Sequence, residues 1–116
     1  MANTFRMTNE ANVSTTIENI YTVPSSTTTI ILGIMLSNTS TASVKGSVQL
    51  VSTSATGSGV SNSGASNANE TTYLIKDAPI SSASSLEIMA GNKIVMQTTD
   101  ILKAQSDTAS SLDIVI

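Results

Sequence analysis

The chain has 116 residues and a formal net charge of −3; Ser and Thr supply 37 positions, charged residues 13 and aromatics 3. His, Cys and Trp are absent, which excludes Ser-His-Asp and Cys-His nucleophiles, thiolate or imidazole metal sites and any disulfide framework. The length fits a single domain, 1–116, whose core needs no staple, and five basic residues against eight acidic ones leave no footprint for a nucleic-acid backbone.

In chain order, the N-terminal stretch runs from Phe5 and Arg6 into Met7-Thr8-Asn9-Glu10 without the apolar run of roughly 7–15 residues that a signal peptide needs. Residues 15–23, with Ile17, Ile20, Tyr21 and Val23, read as a strand that ends at Pro24-Ser25-Ser26 in a hairpin-like reversal. Residues 28–36 alternate at period 2, with Ile30, Leu32, Ile34 and Leu36 on the buried face and Thr29, Ile31, Gly33 and Met35 on the other. The apolar run 30–36 within it is too short to span a bilayer as a helix, so no membrane segment is expected. In Val44-Lys45-Gly46-Ser47-Val48-Gln49-Leu50 the aliphatics point inward and Lys45, Ser47 and Gln49 outward.

From 52 to 70 the texture changes to Ser, Gly, Asn, Thr and Ala, with Val60 the only large aliphatic. Such a stretch cannot offset its ordering entropy by burial, so an exposed loop is expected. Five short strands follow, at 71–76, 86–90, 93–97, 101–105 and 112–116. Gly91-Asn92 is read as a two-residue hairpin between two of them, while Asp77-Ala78-Pro79 and Thr98-Thr99-Asp100 punctuate others. Their inward set is Leu74, Leu86, Ile88, Ile94, Met96, Leu102, Ile114 and Ile116. The pattern predicts an all-β domain, an antiparallel β-sandwich of about eight strands, jelly-roll-like or immunoglobulin-like.

Carboxylates are the remaining acid-base candidates. Glu87 and Asp113 occupy outward strand positions, and Asp77, Asp100 and Asp107 lie in turns, where aspartate caps backbone amides. None is assigned as catalytic. Asn62, Asn67, Asn69 and Glu70 offer oxygens but a single carboxylate, not the alternating acidic loop that calcium prefers. No metal and no cofactor are expected. The triplets at Asn12, Asn38 and Asn69 match the N-glycosylation pattern no more often than the roughly three chance occurrences that nine asparagines in so Ser/Thr-rich a chain would give. Tyr21 and Tyr73 read as polar-tipped rings at the core edge. Ile31, Met35 and Val51 face away from the inward set, and Leu112-Asp113-Ile114-Val115-Ile116 is still apolar and alternating where the chain stops. Uncovered strand edges invite association, so a homo-oligomer, a trimer, is expected.

Several segments resemble small virion structural proteins of marine, cyanophage-type tailed bacteriophages. They are Tyr21-Thr22-Val23-Pro24-Ser25-Ser26-Thr27-Thr28, Tyr73-Leu74-Ile75-Lys76-Asp77-Ala78-Pro79-Ile80 with Ser84-Ser85-Leu86-Glu87, Gly91-Asn92-Lys93-Ile94-Val95, Asp100-Ile101-Leu102-Lys103 and Ser111-Leu112-Asp113-Ile114-Val115. The 52–70 loop is longer than that group would carry, and Ile116 falls a few residues short of its usual end. The resemblance implies a non-enzymatic component of the phage particle, made in the host cytoplasm and assembled outside the DNA. Within that group the acidic, hydroxyl-rich composition favours a capsid decoration or cement protein on the outer surface, bound to the major capsid protein. A neck or tail-fibre subunit is the alternative, and a carbohydrate- or ligand-binding sandwich the third reading.

Overall fold

The computed structural model describes residues 4–53 and 70–116, with the side chain of Glu70 excepted. The expected 52–70 loop, with Asn62, Asn67 and Asn69, thus lies almost wholly outside the described residues. Among the described residues the chain is all-β, with no helix and ten strands: β1 (Asn9–Glu10), β2 (Glu18–Thr22), β3 (Thr29–Ile31), β4 (Met35–Asn38), β5 (Val44–Ser52), β6 (Glu70–Ile80), β7 (Ser85–Glu87), β8 (Ile94–Met96), β9 (Ile101–Ser106) and β10 (Leu112–Val115).

All pairings are antiparallel. One four-stranded sheet has the order β1-β10-β4-β7, a second the order β2-β9-β5-β6, and β3 pairs with β8 alone. The pairing has a simple rule. β1 pairs with β10, β2 with β9, β3 with β8, β4 with β7 and β5 with β6, so each strand meets its mirror image about the β5–β6 connection. The chain is one long antiparallel ribbon, bent so that β10 also pairs with β4 and β9 with β5.

Side chains from the two larger sheets meet at Gly46. A Cβ placed there would lie 3.0 Å from Leu36 Cδ1, 3.1 Å from Leu112 Cδ2 and 3.5 Å from Ile80 Cδ1. Leu36 and Leu112 belong to the first sheet and Gly46 to the second, so the glycine is the hollow into which two leucines fit. Around this point Val44, Val48, Leu102, Ala104, Leu112 and Ile114 are buried together with Val13, Val23, Ile34 and Met96.

The strand count exceeds the expected eight for two reasons. β1 is two exposed polar residues and carries no periodicity. Residues 28–36 are not one strand: Ile31 and Ile34 are both buried, and an odd spacing cannot place two residues on one face of a continuous strand. The backbone therefore breaks between Ile31 and Met35 and the parity switches. Ile30 and Leu32, expected inside, are exposed, whereas Ile31, expected outside, is core.

Other local expectations are corrected by the pairing. β2 and β3 are not partners, so Pro24-Ser25-Ser26 is a corner leading from β2 to β3 rather than a hairpin. β7 and β8 are not partners either. The turn between them is centred on Ala90 (φ 49°) and Gly91 (φ 84°), with Asn92 N–H donating to Met89 O at 2.9 Å; positive φ at both central residues is the type I′ signature. Strand β6 does not stop at Asp77 but runs on to Ile80. Asp77 has φ 51°, and the register against β5 slips between Gly46 and Val48, so it forms a bulge. Ser47 stays on the face of β5 opposite Gly46 and Val48 but is buried there, and its Oγ accepts the Asp77 N–H at 2.9 Å.

Candidate functional site

Five of the eight acidic side chains bind this chain's own backbone. Asp100 Oδ1 accepts the Thr53 N–H at 3.0 Å and Oδ2 the Gln97 N–H at 2.9 Å, closing the 97–100 turn. Asp107 Oδ1 accepts the Lys45 N–H at 3.0 Å, Asp113 Oδ1 the Asn12 N–H at 2.9 Å, Glu87 Oε1 the Met89 N–H at 2.9 Å, and Glu18 Oε1 the Ser14 N–H at 3.1 Å. Glu87 and Asp113 are thus turn and loop caps, not merely solvated strand positions. Their carboxylates supply acceptors where the ladder has none. Among the described residues no three Asp or Glu side chains converge as a cation site, and no helix is long and apolar enough to cross a membrane.

Asn38 is a structural knot that the sequence reading passed over as a chance glycosylation triplet. It is 3% exposed; its Nδ2 donates to the carbonyls of Ala42 (2.8 Å), Ile80 (2.9 Å) and Ser81 (3.2 Å). Its Oδ1 accepts from the Ser40 N–H at 2.9 Å and Oγ at 2.8 Å. One amide thereby ties the end of β4 to the following loop and to the end of β6, and it is closed to modification.

The tyrosines separate. Tyr21 packs against the core and its hydroxyl bonds Thr29 Oγ1 at 2.8 Å, fastening β2 to β3 across the corner. Tyr73, expected at the core edge, is instead exposed on β6, with Lys76 Nζ 5.1 Å from its ring centroid. That is a cation–π contact on one face of the ring.

What remains is surface. The β3–β8 ribbon has two unlike faces. Ile31, Ile94 and Met96 pack into the core, while the cross-strand partners Ile30 and Val95 point to solvent, 54% and 62% exposed, with Leu32 beside them at 57%. Together these three bare roughly 300 Å² of surface, comparable to the largest apolar patch of a typical soluble domain, which is often functional. Met35, expected on an outward face, adds to the exposed aliphatics, and Val51 is half-buried. Before β1, Phe5 and Met7 stand free at 84% and 69% exposure. A separate open depression of about 160 Å³ is lined by Leu74 of β6, Ile88, Met89 and Asn92 from the turn after β7, and Ile94 of β8.

The C-terminal run is not itself an open edge. β10 is an interior strand between β1 and β4, and Leu112 and Ile114 are fully buried. The edge strands of the two larger sheets are β1 and β7, two and three residues long, β2, which bulges between Asn19 and Tyr21, and β6; in the two-stranded ribbon β3 and β8 are both edges. Of these, β6 carries Lys76, the Asp77 bulge and Pro79. Short length, charge, bulge and proline are the features that keep an edge from pairing.

Comparison of the chain with protein-family models, with curated proteins and with solved structures finds no significant match.

Proposed function

We propose that the chain is a non-enzymatic structural subunit of a tailed-phage particle, a decoration or cement protein that binds the outer face of the major capsid protein as a trimer. The fold reading beneath it is a jelly-roll sandwich. Mirror-image pairing about a central connection is what rolling a single long hairpin produces, and jelly rolls recur in capsid and lectin domains. An immunoglobulin-like order would not pair first strand with last and second with ninth. Fold alone does not carry function, so the weight rests on the surface.

The observation that carries the reading is the bare outer face of the β3–β8 ribbon. Ile30, Leu32 and Val95 stand in a chain with 11% charged residues, where little self-repulsion opposes close packing with neighbours. Carboxylates committed to backbone caps agree with a packing role rather than an acid-base one. Individually small contacts accumulate when a subunit binds a lattice at several points.

Copy number is the test. Densitometry of purified particles against the major capsid protein is expected to give hundreds of copies; a count below about fifty would assign the chain to a neck or fibre, where multivalent coverage of the shell is impossible.

A further inference from the structure

We propose that the outer face of the β2-β9-β5-β6 sheet binds a linear acidic glycan, a polysaccharide bearing carboxylate or sulfate groups, through a row of four side chains: Asn19, Lys103, Gln49 and Tyr73. This goes beyond the assembly reading and does not rest on it, since the row and the β3–β8 ribbon belong to different sheets.

The row follows from the register. Asn19 lies opposite Lys103, Lys103 opposite Gln49, and Gln49 opposite Tyr73, and directly opposed residues of an antiparallel pair share a face. Gly46 looks into the core, so by alternation Gln49, three residues on, looks out and carries the other three with it. One side chain from each of the four strands thus stands in line across the sheet, over three strand spacings or about 14 Å. Lys76 Nζ, 5.1 Å from the Tyr73 ring centroid, adds a second ammonium at the β6 end. In the adjoining row Thr22, Ile101, Val51 and Thr71 are likewise opposed, with half-buried Ile101 and Val51 at its centre.

These polar groups are unengaged. Gln105, the next outward residue of β9, gives its Nε2 to Thr15 O at 2.8 Å. Among the described residues the Asn19 and Gln49 amides, the Lys103 ammonium and the Tyr73 hydroxyl have no hydrogen-bond or ion-pair partner. Nearby carboxylates are held elsewhere: Glu18 takes the Ser14 N–H, Asp107 the Lys45 N–H, and Asp100 those of Thr53 and Gln97. The chemistry of the row selects the ligand. A primary amide both donates and accepts, which suits hydroxyl groups, and two amides flanking an ammonium suit a polyol that carries an anionic group. A nucleic-acid backbone would call for a file of cations, and a small apolar ligand for a hollow. The Ile101–Val51 pair beside the row offers an apolar surface to the C–H face of a sugar ring.

The test uses the isotopically labelled full-length protein, titrated in separate arms with hexagalacturonate, a heparin hexasaccharide, neutral cellohexaose and hexaglutamate. An acidic saccharide is expected to move the side-chain amide resonances of Asn19 and Gln49 and to bind at least tenfold more tightly than the neutral sugar or the acidic peptide. The two acidic arms tell a carboxylate ligand from a sulfated one. Unmoved Asn19 and Gln49 amides, or equal binding of cellohexaose or hexaglutamate, overturn the inference, and this readout needs no variant. Lys103→Gln is expected to weaken binding about tenfold, and Lys93→Gln, at the entry to β8, less than twofold, both with unchanged melting temperatures. Equal losses from the two substitutions would mark unspecific charge attraction and overturn it as well.

Discussion

The junction at Gly46 and the β3–β8 ribbon are both built of alternating aliphatics, and their fates differ. At Gly46 two leucines of one sheet descend onto a glycine of the other, so close that an added Cβ would lie 3.0 and 3.1 Å from them. On the ribbon only one face is covered: Ile31 is core while Ile30, the next residue, is more than half exposed. Residue type does not separate the two regions. Position in the bent ribbon does, because β3–β8 lies where the chain passes from one large sheet to the other and, among the described residues, Ile30, Leu32 and Val95 on its outer side are left uncovered.

Substitutions can break or sharpen that contrast. The largest effect is expected from Leu36→Ala, which empties the better-packed region and costs about 4 kcal/mol, read as a shift in the urea midpoint. Asn38→Ala removes the amide from Ser81 O and the Ser40 N–H, leaves the Ala42 and Ile80 carbonyls only the Ser40 and Ser43 hydroxyls, and costs about 3 kcal/mol. Gly46→Val pushes against both leucines and costs about 2 kcal/mol. Combined with Leu36→Ala that cost shrinks, since the added methyls enter the vacated space, and a double-mutant cycle reads the coupling. Additive costs would show that the two sheets do not interlock at Gly46. Ala90→Asn suits a type I′ turn better than alanine does and is expected to add about 0.5 kcal/mol of stability. Smallest is the paired change Ile30→Thr with Val95→Thr, which keeps β-branching and moves stability by less than about 0.5 kcal/mol, while weakening particle binding about tenfold or more.

The parts of the fold visible in the sequence are those where period 2 coincides with burial. In β9 and β10, Leu102, Ala104, Leu112 and Ile114 alternate without interruption, and both strands fall where alternation places them. The pattern misled wherever the backbone changed parity. A one-residue slip reverses every side chain after it, so the break after Ile31 exchanged the roles of Ile30 and Ile31. Ser47 kept its expected face but is buried because its hydroxyl serves the Asp77 bulge, and nothing in Lys76-Asp77-Ala78 distinguishes a bulge from a turn. Partner choice is a long-range matter that local periodicity does not encode, which is why Pro24-Ser25-Ser26 read as a hairpin. Of the candidate surface, Leu32 and Ile30 were noted but placed inside, and the depression was invisible because its walls come from β6, the turn after β7, and β8. The capping role of Asp100 was legible from its place in a turn, but not the amides it takes, Gln97 and the distant Thr53.

The central claim is that the ribbon's bare face is a contact surface on the outside of a phage shell. A cryo-electron-microscopy map of the particle tests it most directly. The account predicts three-fold clusters of a small β-domain on the outer surface, with Ile30, Leu32 and Val95 against the major capsid protein. Density for this chain confined to the neck or fibres, or a β3–β8 ribbon turned to solvent, would contradict it.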